Sequence, residues 1–260
     1  MNAPIVPIVQ IYDIMACNVY MDFENMGLRA EQHKFLVSFF PTGGRPVPEL
    51  VEKITARGPG GYKVELLNQE YSGTNLNGYI YDRTTNAHWY MVNLDTGFMR
   101  EGVYEIEVQC RDGSVRSKAR RQKNGPSHAL VATYLRNRER IYRSHSPGNT
   151  QRLLAGGPLT NLKVKWSSLR ELAQFDAFYI FRLSEGRSSK EFNAQRMVWW
   201  DNIFVQSASH PDAGRNRNAV TVTAQLKPDT SYVYFTEIAD SNAMGETNVS
   251  IFQPHQTFRT

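Results

Sequence analysis

The chain lacks the sequence motifs that mark common catalytic, nucleotide-binding and metal sites. It contains no Gly-x-Ser-x-Gly elbow, no phosphate-cradling glycine-rich loop and no Rossmann fingerprint. Its six histidines are scattered without a His-x-x-x-His or Cys-x-x-Cys spacing, so we expect no structural zinc site. We therefore expect no cofactor and no metal. We favour a protein that is not an enzyme, although a spatially assembled catalytic site stays open.

The chain also lacks any hydrophobic run that approaches the roughly 18 residues needed to cross a bilayer, so we expect no membrane span. Residues 1–7 have neither a basic start nor an uninterrupted apolar core, and they do not read as a signal peptide. Either the protein works without Sec export or an export signal has been removed. Localisation stays open, and we favour an extracellular or virion location.

The composition is that of a globular protein. Hydrophobic residues make up 41% of the chain and aromatic residues 12%, which excludes the low hydrophobicity of disordered chains. At 260 residues, the chain is long enough for one large domain or for two β-sandwiches of ordinary size.

The last third of the sequence has the pattern of a β-sandwich. The alternating segment 220–224 leads into Leu-x-Pro-x-Thr-x-Tyr at 226–232, and a second alternating strand follows. The pattern resembles the E-strand, turn and F-strand of a fibronectin type III domain, with a G-strand that closes on Thr260. This resemblance implies a module used mostly for binding or spacing, and a fold alone does not assign chemistry.

Two further segments extend the same resemblance. Residues 161–166, which end on a tryptophan, resemble the B-strand of the fibronectin type III family, and residues 175–182 resemble its C-strand. We expect a fibronectin type III-like sandwich over 161–260. Residues 183–219 form an insertion relative to the family. An insertion in a binding module is where a function specific to this protein would be added.

The N-terminal half also reads as a series of strands. Residues 54–61 have the pattern Ile-Thr-x-x-Gly-Pro-x-Gly, which is similar to a strand and turn of bacterial immunoglobulin-like modules. Residues 48–54 suit a short helix or a strand equally. Asp112-Gly113 predicts a hairpin turn. The predicted strands are 8–23, 34–40, 62–67, 78–81, 88–92 and 102–110.

We therefore predict an all-β fold of two tandem β-sandwiches, an immunoglobulin-like one over 5–122 and then the fibronectin type III-like one. They are joined by a basic junction over 123–160 with short helices. In the junction, a helix is predicted from Ser127, as its N-cap, to about Tyr142. The alternative is that this stretch is the first strand of the second sandwich.

Both cysteines are predicted to point inward. Cys110 lies on the apolar face of a strand whose residues alternate between apolar and polar. Cys17 lies on the same face of the first strand as several apolar residues. An intersheet disulfide like that of immunoglobulin domains is one interpretation. We slightly favour two reduced core thiols, since free cysteine is among the most buried residue types.

Positive charge is concentrated in the middle of the chain. Between Arg111 and Ser144 there are ten basic and two acidic residues, which gives +8, whereas the whole chain carries +5. This asymmetry predicts an acidic partner, and the arginine-rich composition suits fork-like pairing with carboxylates or phosphates. A merely solvated, solubilising face is an equally good interpretation. The predicted binding residues are Arg120, Arg121, Arg136, Arg138, Arg140 and Arg143.

Three tryptophans are candidate aromatic anchors for a sugar or a protein partner, namely Trp89, Trp199 and Trp200. Because adjacent residues on a strand point to opposite faces, Trp89 and Tyr90 cannot both lie in the core. Packing at the ends of a sandwich or between domains is the plainer interpretation of such aromatics. No catalytic residue is assigned, and His145, close to Tyr142 and Arg143, is the place to look for a spatially assembled acid or base. Asn248-Val249-Ser250 is a formal glycosylation sequon within a predicted strand.

These features favour a non-enzymatic structural or binding protein, a component of an extracellular or virion-type assembly that contacts acidic neighbours. We expect a protein partner or self-association, and an acidic glycan stays open as a ligand. We do not expect nucleic acid, because no recognised nucleic-acid-binding motif accompanies the basic residues. The alternatives are a secreted carbohydrate-binding module and an enzyme with an active-site cleft between the two sandwiches.

Overall fold

A computed structural model describes residues 9–23, 29–40, 44–72, 76–82, 86–153, 158–167, 169, 177–192, 197–204, 218–240 and 248–260. Within these residues the chain forms sixteen strands and two α-helices, and the predicted all-β sandwich fold is confirmed. The first eight strands are β1 Ile11–Met21, β2 Glu31–Phe39, β3 Val51–Gly58, β4 Tyr62–Leu66, β5 Asn77–Asp82, β6 Ala87–Leu94, β7 Gly102–Cys110 and β8 Val115–Gln122. The other eight are β9 Gln151–Arg152, β10 Leu162–Lys165, β11 Ala177–Glu185, β12 Met197–Phe204, β13 Ala219–Val222, β14 Ser231–Asp240, β15 Val249–Phe252 and β16 Gln256–Arg259. The helices are α1 Val47–Leu50 and α2 Asn124–Arg143.

The chain folds into two compact units. Unit 1 contains the described residues within 1–16, 34–94 and 100–122. Unit 2 contains those within 17–33, 95–99 and 123–260, so β1 and β2 each contribute residues to both units. The division predicted from sequence, into 5–122, 123–160 and 161–260, stays a prediction about domain limits.

Unit 1 is a sandwich of two sheets. One has the strand order β1-β2-β6-β5 and the other the order β4-β3-β7-β8. Alternate residues of the strands point between the sheets, where the Phe35 ring lies 5.7 Å from the Tyr104 ring. The buried apolar side chains of these strands include Val37, Phe39, Ile54, Tyr90, Ile106 and Val108.

The hairpin between β7 and β8 forms as Asp112-Gly113 predicts. Asp112 Oδ1 accepts hydrogen bonds from the Ser114 amide at 2.9 Å and from Ser114 Oγ at 2.7 Å. Gly113 has a φ of +83°, a left-handed conformation that a residue without Cβ adopts at little cost. The hairpin makes β8 the edge strand of its sheet.

Unit 2 is built on a sheet with the strand order β12-β11-β14-β15-β1, in which β15 and β1 run parallel. Strand β16 pairs with β14 and with β9, and β10 and β13 form a separate two-stranded sheet. Helix α2 packs against these strands through Leu130, Val131, Tyr134 and Ile141. Trp166 lies in the same core, and its ring is stacked 6.4 Å from that of Phe181.

The helix predicted in the junction is present, but its predicted N-cap is wrong. Helix α2 begins at Asn124 and its N-cap is Lys123, four residues before the predicted N-cap. Ser127 therefore lies inside the first turn, where its Oγ bonds to the Lys123 carbonyl at 3.4 Å. Pro126 does not break this turn because the first N–H groups of a helix have no partner within it.

Two ambiguous segments are also resolved. Residues 48–54, which suited a helix or a strand, contain the end of α1 and the start of β3. Residues 197–204, part of the segment that we identified as an insertion, form β12 and pair antiparallel with β11. The preceding Ser189–Glu191 forms a single 3₁₀ turn.

Both cysteines point inward, as predicted, and both are buried thiols. Alternation along a strand would bury every second residue of β1, but every residue from Ala16 to Val19 is buried. In this part of the strand, neighbouring side chains on both sides of the sheet are covered.

Two leucines of α2 provide a test of its packing. Leu130 is fully buried in the core of unit 2, whereas Leu135 is 44% exposed. We expect Leu130→Ala to lower the free energy of unfolding by about 2–5 kcal/mol, as a cavity-forming change does. Leu135→Ala, the matched control, should change it by less than about 0.5 kcal/mol. Urea unfolding would measure both, and equal losses would contradict this placement of the helix.

Candidate functional site

The six predicted arginines lie on two elements, two of them on β8 and four on α2. Because β8 belongs to unit 1 and α2 to unit 2, each set is considered within its own unit. In both elements, some of the arginines hold the fold together and others point to solvent.

Arg138 of α2 is bound to the sheet of unit 2. Its Nε donates to Asp22 Oδ2 at 2.6 Å, and the Tyr134 hydroxyl donates to the same oxygen at 2.6 Å. The side chain of Asp22 is only 13% exposed, so water competes weakly with these donors. Burial, and then the bond to Asp22, raises the pKa of Tyr134 far above its usual range, which keeps its hydroxyl proton in place. Arg138 thus holds the helix to the end of β1.

The other three arginines of α2 point away from the core. Arg136 donates to Thr133 Oγ1 at 3.0 Å, and Arg140 donates to Asn137 Oδ1 at 3.1 Å. Arg143 pairs with Glu139 at 2.5 Å, and both side chains are well exposed. The three bonds named here join residues of the same helix. We call the exposed residues Ala132, Leu135, Arg136, Glu139, Arg140 and Arg143 the outer face of α2.

The two arginines of β8 alternate in direction, as neighbours on a strand do. Arg120 Nη2 lies 2.8 Å from Asp13 Oδ1, and the nearby Lys118 Nζ donates to the Tyr12 carbonyl at 2.9 Å. Both side chains therefore connect β8 to β1. Arg121 is exposed on the opposite side of the strand and lies opposite Val103 of β7.

The first tryptophan follows the expected alternation. Tyr90 is fully buried, and Trp89 on the other side of β6 is half-buried. The Tyr90 hydroxyl donates to Asn68 Oδ1 at 2.7 Å, so the buried ring has a partner for its polar end.

The tryptophan pair of β12 divides in the same way. Trp199 packs on the core of unit 2, with its ring 5.7 Å from that of Phe181, and its Nε1 donates to Thr223 Oγ1 at 3.0 Å. Trp200 is half-buried on the other side of the strand, and the Arg182 guanidinium lies 5.2 Å from the centre of its ring. Of the two, only Trp200 offers its ring on a face that is not the main core.

Sequence reasoning missed a buried polar network at the first turn of α2. Asn18 Nδ2 donates to Ser127 Oγ at 3.1 Å, and its Oδ1 accepts from the Met99 amide at 2.7 Å. Ser127 Oγ in turn donates to the Asn248 carbonyl at 3.3 Å, and the Asn248 Oδ1 accepts from the Lys123 amide at 3.0 Å. These four contacts join residues that are 81 to 125 positions apart in the sequence, so no local pattern could have revealed them.

Asp240 completes the network. One of its carboxylate oxygens accepts from the amides of Asn248 and Val249 at 2.9 and 2.6 Å, and the other accepts from Asn248 Nδ2 at 3.1 Å. Burial outweighs these hydrogen bonds and raises the pKa of Asp240 to about 6. Because Asn248 is buried and its amide group is used in this way, the sequon that it begins is not presented for glycosylation in the folded chain.

His145, the candidate catalytic group, lies in the core of unit 2. Its Nδ1 donates to the Ile141 carbonyl at 3.0 Å, which leaves Nε2 to accept from Thr236 Oγ1 at 3.4 Å. Burial lowers the pKa of His145 to about 4. The imidazole is therefore neutral near pH 7 and is held in a structural role, away from any substrate.

His255 is also neutral near pH 7, because burial lowers its pKa to about 4. Its ring packs 4.0 Å from Phe23 and 5.1 Å from Phe235. Its Nδ1 has no hydrogen-bond partner among the described residues. Burial lowers the pKa of His33 and of His88 as well, and His210 lies outside the described residues.

The described part of unit 1 contains a pocket of about 220 Å³ beside α1. Arg45, Glu49 and Arg111 line it together with Cys110, and burial raises the pKa of the Cys110 thiol. A thiol with a raised pKa is a poor nucleophile at neutral pH. Nowhere in the described ranges do three His, Cys, Asp or Glu side chains come together as metal ligands would.

No protein-family model matches the chain, and neither does any curated protein. Among solved structures, it aligns with Tp47, the 47-kilodalton lipoprotein of Treponema pallidum, at 8% identity and a TM-score of 0.30. That alignment covers 100% of this chain and 52% of Tp47, so the chain spans about half the length of that protein.

Two further structures are similar at the same low level. The fibronectin(III)-like modules of Clostridium thermocellum CbhA align at 10% identity and a TM-score of 0.23, over 95% of this chain and 94% of the modules. Bacteroides ovatus SGBP-B, solved in complex with a mixed-linkage heptasaccharide, aligns at 13% identity and 0.22, over 86% and 41%. TM-scores below 0.5 do not assign a family, so the finer fibronectin type III assignment remains a proposal.

Helices in the described ranges are all too short or too polar to span a bilayer.

The buried titratable groups of unit 2 predict how stability depends on pH. The pKa values of His145 and His255 fall from 6.5 unfolded to about 4 folded, so the stability linked to them is complete above pH 6.5 and is lost as the pH falls towards 4. Asp240 acts in the opposite direction, because its pKa rises from 3.8 to about 6 and favours the folded state below pH 3.8. With two histidines against one carboxylate, we expect the free energy of unfolding to decrease from pH 6.5 to 4.

Urea unfolding across this pH range would measure the effect. His145→Gln removes one of the two titrations, so its stability should depend less steeply on pH than that of the parent chain. An unchanged slope would show that His145 is not buried as a neutral ring.

Proposed function

We propose that the chain is a non-enzymatic structural or binding protein, a component of an extracellular or virion-type assembly that contacts acidic neighbours. One observation carries the proposal: one arginine of α2 pairs with an acidic residue at the end of β1, whereas the other three are exposed. Arg138 pairs with Asp22 in the sheet, whereas Arg136, Arg140 and Arg143 extend from the outer face of α2.

The division separates two explanations of the basic segment. Charges that only support the fold would pair with acids of the sheets, as Arg120 does with Asp13. Charges on the outer face of α2 contribute little to stability, because exposed ion pairs are worth about 0–1 kcal/mol. The outer face of α2, with three arginines and one glutamate, carries a net positive charge, and a positive potential attracts acidic partners.

The catalytic alternative loses its best candidate in the described part of the chain. His145 is buried with both ring nitrogens bonded, and Cys110 has a raised pKa. A general acid or base must reach a substrate, and His145 is buried in the core of unit 2. This supports the non-enzymatic assignment.

The glycan-binding alternative is favoured by one specific feature, the half-buried Trp200 beneath the Arg182 guanidinium. A tryptophan ring with a cation beside it suits an acidic sugar, through stacking and charge. Trp199 does not share this property because it packs on Phe181 in the core.

Native mass, measured by light scattering at low and at moderate salt, tests the assembly proposal. We expect a defined oligomer whose mass falls when salt is raised, because exposed charges are screened over about 10 Å at 0.1 M ionic strength. A monomer at both salt concentrations would contradict it.

Substitution of the two adjacent tryptophans tests the glycan alternative. If it holds, Trp200→Ala should weaken binding to soluble acidic oligosaccharides by about tenfold or more, which corresponds to 1.4 kcal/mol. Trp199→Ala should mainly lower the free energy of unfolding, by about 1–3 kcal/mol, because its ring is partly buried against the core. Isothermal titration calorimetry measures the binding, and urea unfolding measures the stability. The glycan alternative is excluded if the chain binds no acidic oligosaccharide, or if Trp200→Ala leaves the affinity unchanged.

A further inference from the structure

Strand β8 presents an open edge of its sheet in unit 1. At the hairpin, the Cys110 amide donates to the Ser114 carbonyl at 2.9 Å. Hydrogen-bonded positions alternate along an antiparallel pair, so residues 116, 118, 120 and 122 bond to β7, and the N–H and C=O groups of 117, 119 and 121 point away from it. Within the described part of the chain, no backbone group receives those three residues.

The side chains of β8 form two rows of different chemistry. Residues 116, 118 and 120, which we call the inner row of β8, lie on the side of the strand from which Lys118 and Arg120 reach β1. All three are basic. Residues 115, 117, 119 and 121, the outer row of β8, are exposed, and only the last of them is charged. A strand added to this edge therefore meets a basic row on one face and a mostly uncharged row on the other.

Exposed apolar side chains are grouped around this edge. Of the seven large apolar side chains that are exposed in the described ranges, four lie on β8 or near it. Val115 belongs to the outer row, and Val103 lies on the neighbouring strand β7. Tyr12, whose carbonyl accepts from Lys118 Nζ, packs edge-on against Phe40 with the ring centres 4.8 Å apart. A group of exposed apolar side chains marks an interaction surface.

The inner row carries more positive charge than its acidic neighbours compensate. Arg120 pairs with Asp13 at 2.8 Å. Lys118 binds an uncharged carbonyl group at 2.9 Å, and Arg116 binds the carbonyl of the residue before it. Asp112 in the adjoining turn lies close enough to Arg116 for their charges to interact. The charge of Lys118 has no such acid among the described residues, and the row as a whole attracts carboxylates.

Charge and backbone together decide the occupant of the edge. A second β8 would place two inner rows side by side and bring six cations together, and like charges on neighbouring strands are destabilising. A nucleic acid or an acidic glycan supplies negative charge, but it offers no regular series of N–H and C=O groups to a sheet edge. A peptide strand supplies that series, and its alternate side chains can be acidic and apolar.

We propose that β8 accepts an extended, acidic segment of a protein partner as an added strand of its sheet. The backbone of the segment bonds to residues 117, 119 and 121. Its carboxylates lie beside the inner row, where side chains on neighbouring strands are about 5 Å apart, and its apolar side chains lie beside the outer row. The inference rests on the proposed function and names the conformation and chemistry of the acidic neighbour.

N-methylated peptides test the backbone pairing with the full chain. The probe is a fluorescein-labelled peptide as long as β8 in which glutamate alternates with valine, and anisotropy at low salt measures its binding. Two comparison peptides carry N-methyl groups, one on the glutamate amides and the other on the valine amides. An added strand bonds to β8 through only one of these sets, so we expect one methylated peptide to bind at least about tenfold more weakly and the other within about threefold. Equal affinities of the three peptides, or equal losses in both methylated ones, would overturn the proposal.

A proline in β8 tests whether the peptide binds at this edge. Ala119→Pro removes an N–H group that points outward and no bond to β7, so it should weaken binding of the unmethylated peptide by at least about tenfold. Ala119→Thr, the matched control, keeps the N–H group and should leave binding within about twofold. Binding that is unchanged in Ala119→Pro would contradict the assignment of the edge. The methylated peptides decide the question even if this variant does not fold.

Charge variants test the inner row. Arg116→Gln with Lys118→Gln should weaken binding of the peptide by about tenfold, because two ion pairs with its glutamates are lost. The matched control, Arg152→Gln with Arg187→Gln, removes the same charge from exposed positions of unit 2 and should leave binding within about twofold. Equal losses in both double variants would overturn the role of the inner row.

Two polyanions complete the experiment. A single-stranded DNA oligonucleotide and a heparin fragment should bind more weakly than the peptide and should not respond to Ala119→Pro. If either binds more tightly and depends on Arg116 and Lys118, the class of partner is wrong. If the native mass falls with salt while no peptide depends on β8, the added strand is wrong and the assembly function stands. The opposite result, a salt-indifferent monomer that binds the peptide through β8, leaves the added strand in place without the assembly.

Discussion

The position of α2 depends on a chain of buried hydrogen bonds that runs from Asn18 through Ser127 and Asn248 to Asp240. All four side chains are almost completely buried. A buried polar group without a partner costs about 1–3 kcal/mol, so a network of this kind stabilises only the arrangement in which every member is bonded. Lys123 offers no side-chain cap to the helix, and the network supplies partners to the backbone and side chains of the first turn instead.

A second attachment lies two to three turns further along. Tyr134 and Arg138 both bind Asp22 at the end of β1, and β1 also carries Asn18. The helix is thus fixed at two points on the same strand, with Leu130 and Val131 packed between them. Two fixed points prevent rotation about the helix axis, and this determines which residues form the outer face. The exposure of the arginines on the outer face of α2 is therefore a consequence of how the opposite side of the helix is buried.

Local patterns in the sequence predicted much of the fold. Alternation located β7 with its observed ends, and Asp112-Gly113 located the turn that follows, because both depend only on neighbouring residues. The start of α2 was missed because Asn18 and Asn248, which bind its first turn, are more than 100 residues away in the sequence. For the same reason, the charge of the basic segment was visible from sequence, but the use of Arg120 and Arg138 in ion pairs with Asp13 and Asp22 was not. Asn248 shows this limit most clearly, since its three-residue motif gave no sign of the buried hydrogen bonds that its side chain makes in the fold.

Amide hydrogen exchange in Asn248→Ala, beside the parent chain, tests the dependence of α2 on the network most directly. The substitution removes the bonds from Asn248 to Asp240 and to the Lys123 amide. We expect faster exchange in the N-terminal half of α2, while β11 and β14 keep their protection, since local opening follows the contacts that a segment loses. Asn137→Ala, which removes a bond within the helix, serves as the control and should leave that half unchanged. Unaltered protection of α2 in Asn248→Ala, or a uniform loss across unit 2, would contradict the account.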